Sequence, residues 1–399
     1  MAGVACVADT STPNTVTPSA RTIATALATT SPATTSTTTA LDPTRPFYRL
    51  VVRMTTPTLP RPAEILRPVP DSESDRTRAL ELLRRLSRSS ESAILRYDAP
   101  WRYLFGELVE GVVAWIEAHR VAVVWGDPIC APGDEPRLLS ELTGRMRAEH
   151  LHACLLLVEE PTARAALAAG FVVVHVGGEA VFDLTTWRLP RGDSGKSLRW
   201  CLNRARRAGL EVGEYRPADG RRPVLEQEIA DVVSVWEAHL ATPPARSILQ
   251  TSPLLHVEDK RLFTARRGGR LEAVLACSPV PAADGWYLED LVRVPDASVG
   301  ATELLVVEAL QRLAFGGAQT ASLGVAPSLS HAGQIDRRAR FLLAVLRPLV
   351  SGIDRRYSFQ ALTSYKEKFR PTSWRPRYVA VLPPRPSVRL VRAIRSVLG

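Results

Sequence analysis

The sequence is short of cysteine. Its five cysteines, Cys6, Cys130, Cys154, Cys201 and Cys277, are odd in number and form no C-x-x-C pair. That pattern argues against a disulfide framework or a structural zinc site and fits a reducing cytosol. The seven histidines are scattered, and only His150 and His152 lie close together, so no metal site is expected. No apolar run reaches the roughly 18–20 residues that span a bilayer. No basic start is followed by an apolar core, so no secretory signal is expected and the location is read as cytoplasmic. The sequence also has no G-x-S-x-G elbow and no Ser/His/Asp order, which counts against a covalent acyl-enzyme. Acids are the scarcer charge, 41 against 51 Lys plus Arg, for a net +10. Such a balance favours polyanions: nucleic acid, anionic membrane or phosphorylated substrates.

What is present suffices for two ordinary domains in 399 residues, with 45% hydrophobic residues to build their cores. Between Met1 and Ala40 only Asp9 and Arg21 are charged, amid Thr, Ser, Ala and Pro. Such a segment cannot bury enough apolar surface to offset its chain entropy, so residues 1–70 read as disordered segment and linker. Order is expected from Asp71. Helical spacing at Leu80, Leu82, Leu83 and Leu86 precedes strands at Ala93–Tyr97, Gly111–Glu117 and Val121–Trp125. Helix 135–149, strand 153–158, helix 162–169 and strands 171–176 and 180–184 complete a first α/β unit, residues 71–190. A second unit, 191–380, repeats that order. It has helix 196–208, strand 210–215, helix 224–240, three strands between 262 and 292, helix 302–315 and strand 320–323. Helices 337–349 and 359–369 close it. Arg266-Arg-Gly-Gly-Arg270 reads as a hairpin turn.

Two segments carry dense positive charge. In the helix closed by Gly209, Lys196, Arg199, Asn203, Arg206 and Arg207 fall on one face; Leu198, Cys201, Leu202 and Ala205 fall on the other. The helix has no acids of its own, and its cations suit backbone phosphates. The second segment interleaves Lys366, Lys368, Arg370, Arg375 and Arg377 with Tyr365, Phe369, Trp374 and Tyr378. It can stack on and neutralise the end of a nucleic acid. Asp290 and Arg293 end a strand, where side chains can face a cleft, and Glu303 follows in the first turn of a helix. In the tail 381–399, Arg389, Arg392 and Arg395 line one face beside Leu390, Val391, Ile394, Val397 and Leu398, an interfacial amphipathic pattern that can also pack on its own domain.

An ordered set of short motifs then resembles a family. Trp125-Gly-Asp-Pro128, Gly178-Glu-Ala-Val-Phe-Asp-Leu184, Leu198-Arg, Asn203-Arg-Ala, Asp290-Leu-Val-Arg293, Pro295-Asp-Ala, Gly300, Glu303, Leu323-Gly, Ala326-Pro327, Tyr365-Lys-Glu-Lys-Phe-Arg-Pro371, Trp374 and Arg377-Tyr378 occur in sequence. Together they are similar to the C-terminal catalytic domain of lysylphosphatidylglycerol synthases. The resemblance implies an α/β fold of tandem GNAT-like domains joined by a basic helix. It implies an aminoacyltransferase that takes its aminoacyl group from aminoacyl-tRNA as co-substrate and needs no cofactor.

The membrane-bound members of that family begin with a transmembrane flippase domain, which this sequence does not show. The expected acceptor is therefore a small molecule bearing a hydroxyl, amine or hydroxylamine, in natural-product (antibiotic) biosynthesis. The alternatives are phosphatidylglycerol or another membrane lipid as acceptor, and an acetyl-CoA-dependent N-acetyltransferase. Asp290, Arg293, Glu303, Lys366 and Lys368 are the expected catalytic residues. Lys196, Arg199, Arg206, Arg207, Arg370, Arg375 and Arg377 are expected to bind tRNA, with peripheral membrane contact through the tail.

Overall fold

One run of elements occurs twice in the computed structural model, which describes residues 73–239, 251–327, 339–344, 346–347, 359–383 and 388–398. The first run starts with helix α1 (Glu73–Leu86), a 3₁₀ helix (Ser90–Arg96) and strands β1 (Trp101–Phe105), β2 (Gly111–Ala118), β3 (Val121–Trp125) and the short β4 (Ile129–Cys130). It continues through α2 (Glu135–Ala148), β5 (His152–Val158), α3 (Glu160–Ala168) and β6 (Val172–Asp183). Helix α4 (Lys196–Arg207), β7 (Glu211–Tyr215) and α5 (Pro223–Ala238) open the second run. Strands β8 (Arg261–Arg267), β9 (Arg270–Val280) and β10 (Gly285–Arg293) follow, then α6 (Ala301–Phe315), β11 (Thr320–Pro327), α7 (Phe359–Glu367) and β12 (Ser373–Leu382). Helix α8 (Val388–Leu398) comes last.

These strands form one sheet in the order β1-β2-β3-β5-β12-β6-β11-β10-β9-β8-β7, with β4 on β2. In each run an antiparallel meander ends in a strand that pairs in parallel, after a helical crossover, with the next: β3 with β5 and β10 with β11. The last strand of each run joins the other run. β6 pairs with β11, β12 pairs with β5, and β6 and β12 pair with each other at the centre. The fold is thus α/β, with two similar units locked by exchanged strands, and α4 links them.

The differences from expectation have local causes. Of Ala93–Tyr97, read as a strand, residues up to Arg96 belong to the 3₁₀ helix and Tyr97 caps it, and every residue of that helix is buried. A short apolar run buried on all sides carries no period to read. Gly177-Gly178, read as a break between two strands, lies inside β6. Trp374 crosses Gly178, and a Cβ there would stand 3.4 Å from the indole ring. Strand β12 was not expected, because Pro376 and two arginines interrupt it. Pro376 pairs only with β6, since contact with β5 begins at Tyr378, so its missing N–H breaks no ladder on the other side. The turn between β8 and β9 is the expected hairpin: Gly268 and Gly269 have φ of +55° and +85°, the signs a two-residue type I′ turn needs.

The tail takes the second of its two readings and packs on its own domain. Helix α8 packs on β2 and β3 and buries Leu390, Ala393, Ile394 and Val397 in the core beneath. The apolar face of the tail is therefore occupied by the protein itself. The segment 1–70 lies outside the described residues; of the helix expected at 337–349, residues 339–344 and 346–347 are described, and they are helical. Among the described residues no helix is long and apolar enough to cross a membrane. Ile394→Asp should destabilise the fold by about 3–5 kcal/mol in urea unfolding, because it strands a charge among α8's core contacts; an exposed amphipathic tail would leave the midpoint unchanged.

Candidate active site

Strand β10 builds the first part of the site through an irregularity. Its register against β9 slips between Leu288 and Asp290, making Glu289 an extra residue in the ladder. The bulge changes the strand's phase: Trp286, Leu288 and Leu291 contact one core and Val292 the core on the other face. Regular alternation would send Glu289 and Asp290 to opposite faces; the bulge lets both lie within reach of the Lys260 charge.

Glu289 accepts hydrogen bonds from Lys260 Nζ at 3.1 Å, Ser278 Oγ at 2.5 Å and Tyr97 OH at 3.4 Å. Burial works to raise its pKa, but Lys260 and these donors hold the carboxyl below the usual range. Asp290 accepts the Ser252 N–H at 3.1 Å. Burial, then the adjoining Glu289 charge, push Asp290 up to about 7. Two neighbouring carboxyls are thus driven apart in pKa, as in sites that need one charged and one proton-exchanging group.

Beside them lies a narrow cleft lined by Ser90, Glu91, Tyr97, Trp125, Tyr287 and Glu289 with Ala93 and Ile94. The 3₁₀ helix forms one wall, and Glu91 is fixed there by the Trp125 indole N–H at 2.7 Å. Burial raises the pKa of both phenols, so Tyr97 and Tyr287 remain protonated. Tyr287 leans on Gly324, where a Cβ would stand 3.1 Å from its hydroxyl. β11 has its own bulge between Ser322 and Val325, and the freed carbonyls of Gly324 and Val325 each accept Lys366 Nζ at 2.9 Å. Burial pulls Lys366 down to about 7 against the charges of Glu91 and Glu179.

Arg377 enters from β12. It forms ion pairs with Glu179, with Glu159 at 3.0 Å and with Asp127 at 3.5 Å. Glu179 also accepts Ser90 Oγ and Ser322 Oγ, so the network joins the 3₁₀ helix to β11. Burial opposes ionisation of Glu179, yet Arg377 keeps it below the usual range; at Asp127 and Glu159 burial wins and both are raised.

The structure sorts the residues singled out in the sequence. Asp290 stands beside the cleft, and Arg293 ends β10 half-buried. Lys366 and Lys368, both expected to be catalytic, go to different neighbours. Lys366 is sealed against β11, whereas Lys368 pairs with Glu303 at 3.1 Å in the first turn of α6. Lys196 and Arg207 are exposed on α4. Arg199 donates to the carbonyls of Pro190 at 2.8 Å and Gly192 at 2.7 Å, tying down the preceding loop. Arg206 pairs with Glu308 of α6 at 3.5 Å, an acid from outside the helix that its own sequence did not reveal. Arg370 is exposed and Arg375 half-buried. Arg377 is fully buried, so it does not meet tRNA at the surface as expected. Helix α4 also covers the start of α6: a Cβ on Gly300 would stand 2.2 Å from the Cys201 carbonyl. With Glu303 in its first turn, this helix start is not an open phosphate site.

The model of the family described as phosphatidylglycerol lysyltransferase, C-terminal, matches residues 83–381. The chain belongs to that family. The C-terminal domain of a candidate lysylphosphatidylglycerol synthetase from Agrobacterium fabrum is 23% identical, with a TM-score of 0.65 over 81% of this chain and 95% of that one. L-PGS from Bacillus licheniformis is 19% identical, with a TM-score of 0.65 over 76% and 90%. A conserved protein of unknown function from Bacteroides thetaiotaomicron is 12% identical, with a TM-score of 0.54 over 77% and 97%. No curated protein matches. Within the lysyltransferase family fold, this chain places its cleft between the two exchanged units.

Sequence reading missed Glu91, Tyr97, Lys260, Tyr287 and Glu289. Only Glu289 carried a signal, as the second acid of an adjacent pair. The others depend on the 3₁₀ helix and the bulge, which leave no periodic trace. Arg377→Met should cost about 3–5 kcal/mol in urea unfolding, because it leaves buried carboxylates uncompensated; a surface arginine would cost under about 1 kcal/mol. Asp290 gives a pH test. Its folded pKa lies above its unfolded value, so its stabilising effect is full below about pH 4 and is lost as pH rises through about 7. Asp290→Asn should therefore gain stability over the wild type as pH rises, by on the order of 3 kcal/mol between pH 4 and 8. A pH-independent difference would contradict the assignment.

Proposed function

We propose that this chain transfers an aminoacyl group from an aminoacyl-tRNA to the hydroxyl of a phosphatidylglycerol-type lipid. Membership in the phosphatidylglycerol lysyltransferase family carries this reading, and it favours a lipid over the small-molecule acceptor expected from the sequence. The site is chemically suited to it. The aminoacyl ester is already activated, so transfer needs a base, charge stabilisation and positioning.

In this reading the acceptor hydroxyl attacks the ester carbonyl while Asp290 takes its proton. The Tyr97 phenol, held protonated, turns its hydroxyl from Glu289 to the oxyanion that forms, with the protonated Tyr287 phenol beside it. The tetrahedral intermediate then expels the ribose hydroxyl, which recovers the proton from Asp290. Glu91 and Glu289 give the cleft negative walls that attract the cationic amine of the aminoacyl group. Lys196 and Arg207 on α4, with Arg370, meet tRNA phosphates outside the cleft.

Vesicles of phosphatidylglycerol incubated with radiolabelled aminoacyl-tRNAs should yield label in the organic phase. Asp290→Asn should lower kcat/KM about 10²–10⁴-fold. Wild-type activity should rise with pH through about 7, as Asp290 loses its proton. Label that appears only in a water-soluble product would move the acceptor back to a small molecule. Consumption of acetyl-CoA with no use of aminoacyl-tRNA would overturn the donor.

A further inference from the structure

We infer that Trp200 is a stacking platform for the unpaired 3′ end of the tRNA donor, an inference that rests on the proposed aminoacyl-tRNA chemistry. The indole is 56% exposed, on a helix whose other apolar side chains, Leu198, Cys201 and Leu202, are buried. The Arg204 guanidinium lies over the ring at 5.5 Å, holding it and placing a cation beside whatever stacks there.

The surroundings select the ligand. Lys196, Arg204 and Arg207 are exposed along the same helix, which has no acid in its first turn, and Glu308 engages only Arg206 among its cations. An exposed aromatic among cations fits a single-stranded nucleic acid, whose bases stack while its phosphates are neutralised. A membrane surface fits less well, because insertion needs a broad apolar face and this helix has buried its own. The position also suits delivery. Cys201, the next residue, contacts both Gly300 and Glu303, so the helix that carries Trp200 runs beside the loop that follows Arg293 and strand β10.

The test measures binding of the full chain to intact tRNA and to the same tRNA lacking its single-stranded 3′ end. The wild type should prefer the intact form by about tenfold. Trp200→Ala should abolish that preference, while Trp200→Phe keeps most of it, and in transfer assays Trp200→Ala should raise KM for aminoacyl-tRNA with little change in kcat. Equal binding of the two tRNAs by the wild type, or a preference that survives in Trp200→Ala, would overturn the inference. So would loss of phosphatidylglycerol vesicle binding in Trp200→Ala with tRNA binding intact. Because binding is read without turnover, a 3′-end preference lost in Trp200→Ala supports the platform even if the acceptor or chemistry proves different.

Discussion

The ion pair between Arg377 and Glu179 is the contact on which the arrangement of the two units depends. It forms where β12 and β6, the exchanged strands, lie side by side. Both groups are buried, so neither can find water if the strands part. Desolvating such a pair costs several kcal/mol per ion, and only further hydrogen bonds make it tolerable. Ser89, Ser90, Ser322, Asp127 and Glu159 supply those bonds and charges, drawn from both units. The network therefore specifies one docking of the units, and with it the position of the 3₁₀ helix that walls the cleft.

Bulges do the rest. In the first unit β5 carries Leu157 at φ +60°, and its register against β12 shifts there. At the corresponding place in the second unit, β11 bulges around Gly324 at φ +74°. The two units thus share an irregularity but use it differently: the second turns its carbonyls to Lys366 and makes room for Tyr287. The bulge in β10 is what brings two carboxyls to one side. The site is made where the sheet departs from regular pairing.

This explains what could be read from the sequence. Regular elements followed from their periods: β3 at Val121–Trp125 and α4 with its buried Leu198, Cys201, Leu202 and Ala205 came out as expected. The resemblance carried Asp290 and the family. The partner of Asp290 did not emerge, because Glu289 reads as the opposite face until the register slips. Arg377 looked like surface charge because its three acid partners lie roughly 200 or more residues earlier in the chain. The C-terminal helix showed its two faces clearly, but amphipathicity alone does not say whether lipid or protein covers the apolar one.

The central claim is that the cleft between the units receives the aminoacyl group. A crystal structure with a 3′-aminoacylamino-adenosine, in which a stable amide replaces the ester, tests it most directly. The aminoacyl portion is expected between Tyr97, Tyr287 and Glu289, with its carbonyl on the Asp290 side. An analogue bound elsewhere, with that cleft empty, would contradict it.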